Sequence, residues 1–121
     1  MAVQLSGITA IMLGVRNLDQ SLAFYQEKLG LKLLMKESDA LALLEAGAVR
    51  LGLSTGHVRL APQPAGATEV VFQVSRVRAA YDAMKQEGIA FLSEPRQVTV
   101  ADWAAHFRDP DGHLLSIFGP E

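Results

Sequence analysis

Glu69 and His106 are the side chains of this chain best placed for chemistry, because each lies in a segment where polar and apolar residues alternate. Alternation sends successive side chains to opposite faces of a strand. In Thr68–Val74, the apolar Val70, Phe72 and Val74 therefore share one face, and Glu69, Val71 and Gln73 share the other. The same reading sets His106 and Arg108 on one face of Trp103–Arg108, and opposes Leu114, Ser116 and Phe118 to His113, Leu115 and Ile117. In Ala48–Ser54 it sets Arg50, Gly52 and Ser54 against Val49, Leu51 and Leu53. A carboxylate or imidazole on such a face can serve as a general base, although no spacing in the chain reveals a group that would orient one. The structural alternatives are equally concrete. Glu69 can pair with Arg50 or Arg108, since a half-buried carboxylate needs a partner, and His106 can be a polar wall residue. Trp103, the single tryptophan, either caps a cleft and stacks on a flat ligand, or fills a core or a dimer contact. His113 falls on the helix-facing side by alternation and His57 in a loop, which reads as structural for the first and solvated for the second.

The elements that would position these residues come from a faint internal repeat. Leu13–Leu18 leads into a helix whose Leu18, Leu22, Tyr25 and Leu29 share one face, and Phe72–Val77 leads into another with Val77, Tyr81 and Met84. Polar starts (Asn17 or Asp19; Ser75) and closing glycines (Gly30; Gly88) bound both helices. Strands are predicted at about 8–15, 31–36, 40–45 and 48–54 in the first half. The second half gives about 68–74, 90–93, 103–108 and 113–118. Turns fall at Ser38-Asp39, Ala46-Gly47 and Asp109-Pro110-Asp111-Gly112, the last a type I turn with proline in its second position and glycine in its fourth. Each half is then β-α-β-β-β, an α+β arrangement in one 121-residue domain, with modules at about 8–54 and 68–118 joined by a linker at about 55–67. Aliphatic faces should pack on the helices. The mixed faces should line the concave side of curved sheets and bring Ala10, Met12, Arg50, Gly52, Glu69, Gln73, His106, Arg108 and Ser116 toward a cleft.

Bulk properties exclude several classes. Eleven basic against thirteen acidic residues leave a net charge of −2, with no nucleic-acid footprint. Zero cysteines remove disulfides, thiolate nucleophiles and cysteine-rich zinc sites. No apolar run approaches the roughly 18 residues of a membrane span, and the N-terminal residues lack a signal-peptide pattern. A soluble cytoplasmic protein is the expectation.

The repeat, with Val15-Arg-Asn-Leu18, Ser21-Leu-Ala-Phe-Tyr25, Leu29-Gly-Leu31 and Asp109-Pro-Asp-Gly112, resembles the vicinal oxygen chelate superfamily. That group includes glyoxalase I, bleomycin-resistance proteins, fosfomycin-resistance enzymes and extradiol dioxygenases. The resemblance covers nearly the whole chain, and one scaffold hosts many activities. It implies a divalent metal on the concave face, held by His and Glu side chains at the positions of Ala10, Gly52, Glu69 and Ser116. Three of those four residues are alanine, glycine and serine, so the expected metal site is absent and no cofactor is expected. Two alternatives stand: a shifted site of Glu69 and His106 completed by a loop residue such as His57, or metal-free acid–base chemistry on Glu69 or His106. In character the chain resembles most the bleomycin-resistance branch, whose members bind drugs in a dimer cleft. The expectation is therefore a homodimer that binds a small molecule, with no nucleic-acid or membrane partner. The expected contacts are Met12, Arg50, Glu69, Trp103, His106, Ser116 and Phe118.

Overall fold

Each half of the chain makes a four-stranded mixed sheet with a helix against one face, and both helices contribute to one core. The computed structural model describes residues 6–56 and 68–121. The first half runs β1 (Ala10–Gly14), α1 (Leu18–Leu22, continued by a π-helical turn Ala23–Lys28), β2 (Leu33–Glu37), β3 (Leu41–Ala46) and β4 (Val49–Ser54). The second runs β5 (Glu69–Gln73), α2 (Val77–Gln86), β6 (Arg96–Gln97), β7 (Trp103–Arg108) and β8 (Leu114–Gly119). The strand orders, β1-β4-β3-β2 and β5-β8-β7-β6, repeat one topology. In each sheet the pair of first and last strands is parallel and the other pairs are antiparallel. The βαβββ architecture predicted from the repeat is the one observed. Of the expected linker, only Thr55 and Gly56 fall among the described residues.

The aliphatic faces bury as alternation predicts. Leu51, Leu53, Leu44 and Leu115 are at most 2% exposed, and they join one core with Val15, Val77 and Phe107. Aromatic rings carry this core from one helix to the other. Tyr25 meets Phe24 edge-on at 5.2 Å, Phe24 faces Phe107 at 6.4 Å, Phe107 meets Phe91 at 5.3 Å, and Phe91 packs on Tyr81 at 4.7 Å. Each such pair adds about 0.5–1.5 kcal/mol to the burial of its rings.

Three sequence expectations need correction. The first helix is not α-helical throughout: Leu29 N–H bonds to Phe24 C=O, five residues back, at 3.0 Å. Within this wider turn the neighbours Phe24 and Tyr25 are both buried. Residues 90–93 do not form a strand. Phe91 makes a single bridge to Phe107 and Leu92 N–H bonds to His106 C=O, after which Pro95, which has no N–H, stops the ladder. Pairing with β7 resumes only at the two-residue β6.

Ser75 does not cap α2. The N-cap is Arg76, whose side chain accepts no bond, and the first helical N–H groups of Val77 and Arg78 are taken by Pro120 C=O at 2.8 Å and Glu121 C=O at 2.9 Å. Helix donors need a partner, and here a segment more than forty residues away in sequence supplies it. Asn17 does cap α1, with its Oδ1 accepting from Gln20 N–H at 2.9 Å. His113, just before β8, is structural as expected. Its Nε2 sits 2.6 Å from Gly14 C=O at the end of β1.

His113 belongs to a cluster that ties the halves together. The Asp109–Gly112 turn closes through Gly112 N–H to Asp109 C=O at 3.0 Å, with Gly112 at φ 88°, and Asp109 Oδ1 accepts from the N–H groups of Asp111 and His113. Asp109 Oδ2 accepts from Tyr25 Oη at 2.7 Å, in a fully buried setting. Asp111 in turn accepts from Arg16 N–H and Nε, and from Ser21 Oγ. Burial above all, then the negative charge and hydrogen bond of Asp109 and the charge of Asp111, push the Tyr25 hydroxyl far above its ordinary value near 10.

Tyr25→Phe would leave a buried carboxylate oxygen without its donor and should cost about 2 kcal/mol in denaturant unfolding. Because the folded state holds the hydroxyl neutral, its contribution is whole below the unfolded value near 10 and is lost as pH rises above it. The stability gap between wild type and Tyr25→Phe should therefore narrow above about pH 10, by up to about 1.4 kcal/mol per pH unit. Unfolding midpoints measured between about pH 8 and about pH 11 test this, and a gap constant across the range would refute it.

Candidate ligand-binding site

With the helices on one face of each sheet, the other faces stay open, and register decides which side chains share them. In the second sheet Glu69 stands opposite Leu114 and Arg108 opposite the same residue, while Val71 and His106 flank Ser116. Gln73 and Ala104 likewise flank Phe118. β8 thus lies between β5 and β7, and side chains from the two outer strands can meet over it. Glu69 and His106 do so, with Oε2 3.1 Å from Nε2. Both remain partly exposed, their side chains at 33% and 40%. The partner of Glu69 is therefore His106, rather than the Arg50 or Arg108 that charge alone offered. Arg108 is exposed and forms no ion pair among the described residues.

In the first sheet, Ala10, Met12 and Gly14 of β1 stand beside Arg50, Gly52 and Ser54 of β4, with Glu45, Leu43 and Leu41 on the far side. Gly52 is buried although it has no side chain, because its neighbours cover it. A Cβ added there would meet the Met12 thioether, with Cε at 2.6 Å, and Leu43 Cδ2 at 3.1 Å. The space above Gly52 is occupied by a sulfur-tipped apolar chain, flexible and well suited to filling an irregular gap.

The expected contacts do not all gather in one place. Glu69, His106, Ser116 and Phe118 share the open face of the second sheet, Ser116 being nearly fully buried at its floor. Met12 and Arg50 lie on the open face of the first. A groove of about 560 Å³ between the sheets brings Arg50 to Val71 and Gln73 but takes in neither Glu69 nor His106. Trp103 shares its strand face with Ala105 and Phe107 and packs against the core, on the side away from Glu69 and His106. His57 lies outside the described residues. Alternation along β7 already sets Trp103 opposite His106, so its expected place among the ligand contacts ran against the pattern of its own strand. The register pair Met12–Gly52 was the one sequence signal of the filled site, and it needed the parallel pairing of β1 with β4 to be seen.

Comparison with known proteins now bears on this geometry. A sequence model described as the glyoxalase/bleomycin resistance protein/dioxygenase superfamily matches residues 7–117. The chain belongs to that superfamily. Among solved structures it is similar to a glyoxalase/bleomycin resistance protein/dioxygenase from Nocardioides (27% identity, 98% of this chain and 86% of that one, TM-score 0.80). It is also similar in fold to a lactoylglutathione lyase from Agrobacterium tumefaciens (20% identity, 94% and 93%, TM-score 0.78). A third structure, a putative glyoxalase family protein from Bacillus anthracis, covers both chains fully at 16% identity with a TM-score of 0.77. No curated protein sequence matches the chain.

The metal centre implied by this superfamily does not fit the residues present. Ala10 and Gly52 offer no side-chain donor, and the space over Gly52 is filled by Met12. Ser116 offers only a hydroxyl, and Glu69 is already engaged by His106. Among the described residues, no three His, Asp or Glu side chains are grouped to hold an ion, whereas a zinc site takes three or four such ligands.

If Met12 fills the place over Gly52, then Gly52→Ala should cost about 1 kcal/mol, because the methionine can swing aside but Leu43 must also yield. The cost should shrink in a Met12→Ala background. Denaturant unfolding of the four proteins of that cycle checks it, and costs that add within about 0.5 kcal/mol would contradict the packing.

Proposed function

We propose that this protein binds a small organic molecule on the open faces of its sheets, without the catalytic divalent metal of its enzymatic relatives. The observation that carries this reading is Met12 lying over Gly52: where a ligand-bearing side chain would project, the fold places apolar filling. The polar groups that remain, Arg50 on one sheet and Glu69, His106 and Gln73 on the other, are few and set among Val71, Leu114 and Phe118. Few polar groups on a mostly apolar wall is what drug-sized ligands generally require.

A homodimer is part of the proposal. Ile11 on the edge strand β1 is 40% exposed and Val71 on the edge strand β5 is 54% exposed. Apolar side chains on open sheet edges call for cover, and a second copy would turn each open face into a cleft. Sequestration of an antibiotic or metabolite is the role this gives, in a cytoplasm where a cysteine-free chain is at home. No helix among the described residues is long and apolar enough to cross a membrane.

A second reading, an enzyme working by metal-free acid–base chemistry, is favoured by one observation: the 3.1 Å contact of Glu69 with His106 supplies the orienting group that spacing alone did not reveal.

Chelator-stripped protein titrated calorimetrically with zinc, nickel or manganese should give no tight stoichiometric binding. Tight binding abolished by Glu69→Ala would sink the metal-free reading. A thermal-shift screen of planar antibiotics and metabolites should find compounds that raise Tm by about 5 °C or more at saturating concentration. Failure of every compound would overturn the binding reading.

A further inference from the structure

We infer that a crevice between the two helices, behind the sheets, binds a monocarboxylate with an apolar body of about eight carbons. It lies on the helix side of β5 and β8, away from Glu69 and His106. It is a second site and does not rest on the function proposed above.

Three observations carry it. First, the core is left unclosed at one place. A crevice of about 210 Å³ is walled by Leu29 and Leu31 after the first helix, Phe72 and Val74 of β5, Met84 of α2 and Ile117 of β8. Phe72 and Ile117 are register partners, and both belong to the helix-facing side of their strands. Leu29, Leu31, Phe72, Val74 and Met84 pack against the core yet stay only partly buried. Protein interiors generally fill such gaps with their own side chains, and the described residues leave this one open. Met84, unbranched and polarisable, can adjust to the shape of what enters.

Second, the volume sets the size of the guest. A dry apolar cavity of roughly 150 Å³ takes a benzene ring. At 210 Å³ this crevice has room for about eight carbons on the same scale.

Third, the wall carries one charge. Lys28 is the single ionisable residue of the lining, and Gln73 is the only other polar one. Lys28 Nζ lies 3.8 Å from the point where a Cβ on Gly88 would stand. The side chain therefore reaches from the end of the first helix to the glycine beyond α2, one turn past Met84, and sets its ammonium at the rim. The helix end does not consume that charge. The carbonyls of Ala83, Met84 and Lys85 already accept from the N–H groups of Glu87, Ile89 and Gly88. No carboxylate among the described residues pairs with Lys28, neither Glu27 beside it nor Glu87 beside Gly88.

These features define the ligand class. The body is hydrocarbon, because the inner wall offers it nothing to hydrogen-bond. The head is an anion, held at the rim where Lys28 and water both reach it. There is one such group, since a second carboxylate at the far end would have to leave water for an apolar wall.

The experiment titrates the full chain calorimetrically with straight-chain acids from butanoate to dodecanoate, below their micellar concentrations, and with octan-1-ol and octanedioate for comparison. Saturable binding of octanoate with Kd on the order of 0.1–1 mM is expected. Affinity should rise about threefold to fourfold per carbon and level off near octanoate, at about eight carbons. Octanedioate should not bind. Lys28→Gln should weaken octanoate about fivefold and leave octan-1-ol unchanged. Methionine methyl NMR locates the guest: octanoate should shift the Met84 methyl and leave that of Met12, on the open face, in place. Met84→Trp fills the crevice and should abolish binding, with circular dichroism matching wild type. Should that variant not fold, Lys28→Gln and the methyl shifts decide.

Absence of saturable binding by every acid overturns the site. So does an equal loss for octanoate and octan-1-ol in Lys28→Gln. A shift at Met12 without one at Met84 overturns it and sends the ligand to the open faces, in favour of the function proposed above. A folded Met84→Trp protein whose sedimentation coefficient departs from wild type shows a second copy covering the crevice, and overturns it too.

Discussion

The buried carboxylate of Asp109 stands where the two halves of the chain meet, and the geometry of both sheets depends on how it is satisfied. One oxygen takes the Tyr25 hydroxyl from the π-turn of the first helix, and the other takes the N–H groups of Asp111 and His113 from its own turn. An ionised carboxylate out of water is tolerable only with such a full set of donors. Satisfying it fixes the turn, and the turn then aims Asp111 at Arg16 and Ser21 and His113 at Gly14. Contacts from the turn and from the histidine that follows it therefore set the first helix and the end of β1 against the start of β8. The aromatic run through Phe24, Phe107 and Phe91 supplies cohesion between the halves, but apolar packing alone is indifferent to small rotations. The hydrogen bonds are directional and specify one arrangement.

That division explains how much could be read from the chain. Period-2 and helical patterns report burial, so the sheets, the helices and the aliphatic core were legible, as was the turn, whose proline and glycine have local conformational reasons. Features that depend on distant partners were not. The cap of α2 comes from backbone carbonyls of Pro120 and Glu121, which no residue type announces. The π-turn carries Phe24 against Phe107 and Tyr25 onto Asp109, and neither partner is near it in sequence. Asp109 and Tyr25 carry polar groups that composition would leave at the surface, and only their mutual contact makes burial affordable. Alternation named the face of Glu69 and His106 correctly but could not choose among an arginine, a histidine or an ion as the partner. That choice depends on the order β5-β8-β7, which places positions 69 and 106 on opposite sides of one strand.

The scaffold shared with glyoxalase-type proteins constrains how the open face of the first sheet is filled. In β1 and β4 the parallel register sets residue 12 directly beside residue 52, and residue 43 on the other side. A large side chain at 52 would need both neighbours to stand back. Here the allocation is reversed: glycine at 52 concedes the volume and methionine takes it. A cavity left empty at that point would lose its dispersion contacts, and a lone donor there would be a buried polar atom without a partner. An apolar chain solves both problems together. The same economy is not seen in the second sheet, where Glu69 and His106 keep polar groups partly exposed above a buried serine.

The two sheets therefore differ in kind although they repeat one topology, and the clasp at Asp109 links that difference to the fold. His113 N–H bonds to Asp109 immediately before β8 begins, so the register of β8 against both β5 and β7 starts from an anchored residue. A slip of β8 by one residue would exchange Ser116 for Leu115 or Ile117 on the open face, since side chains alternate. It would put a bulky aliphatic group beneath the point where Glu69 and His106 meet. Their contact at 3.1 Å spans two inter-strand spacings, close to the reach of the two side chains together. A pair so placed is sensitive to the floor beneath it. The small serine there and the anchored turn before it are what permit a carboxylate and an imidazole to face one another across a strand.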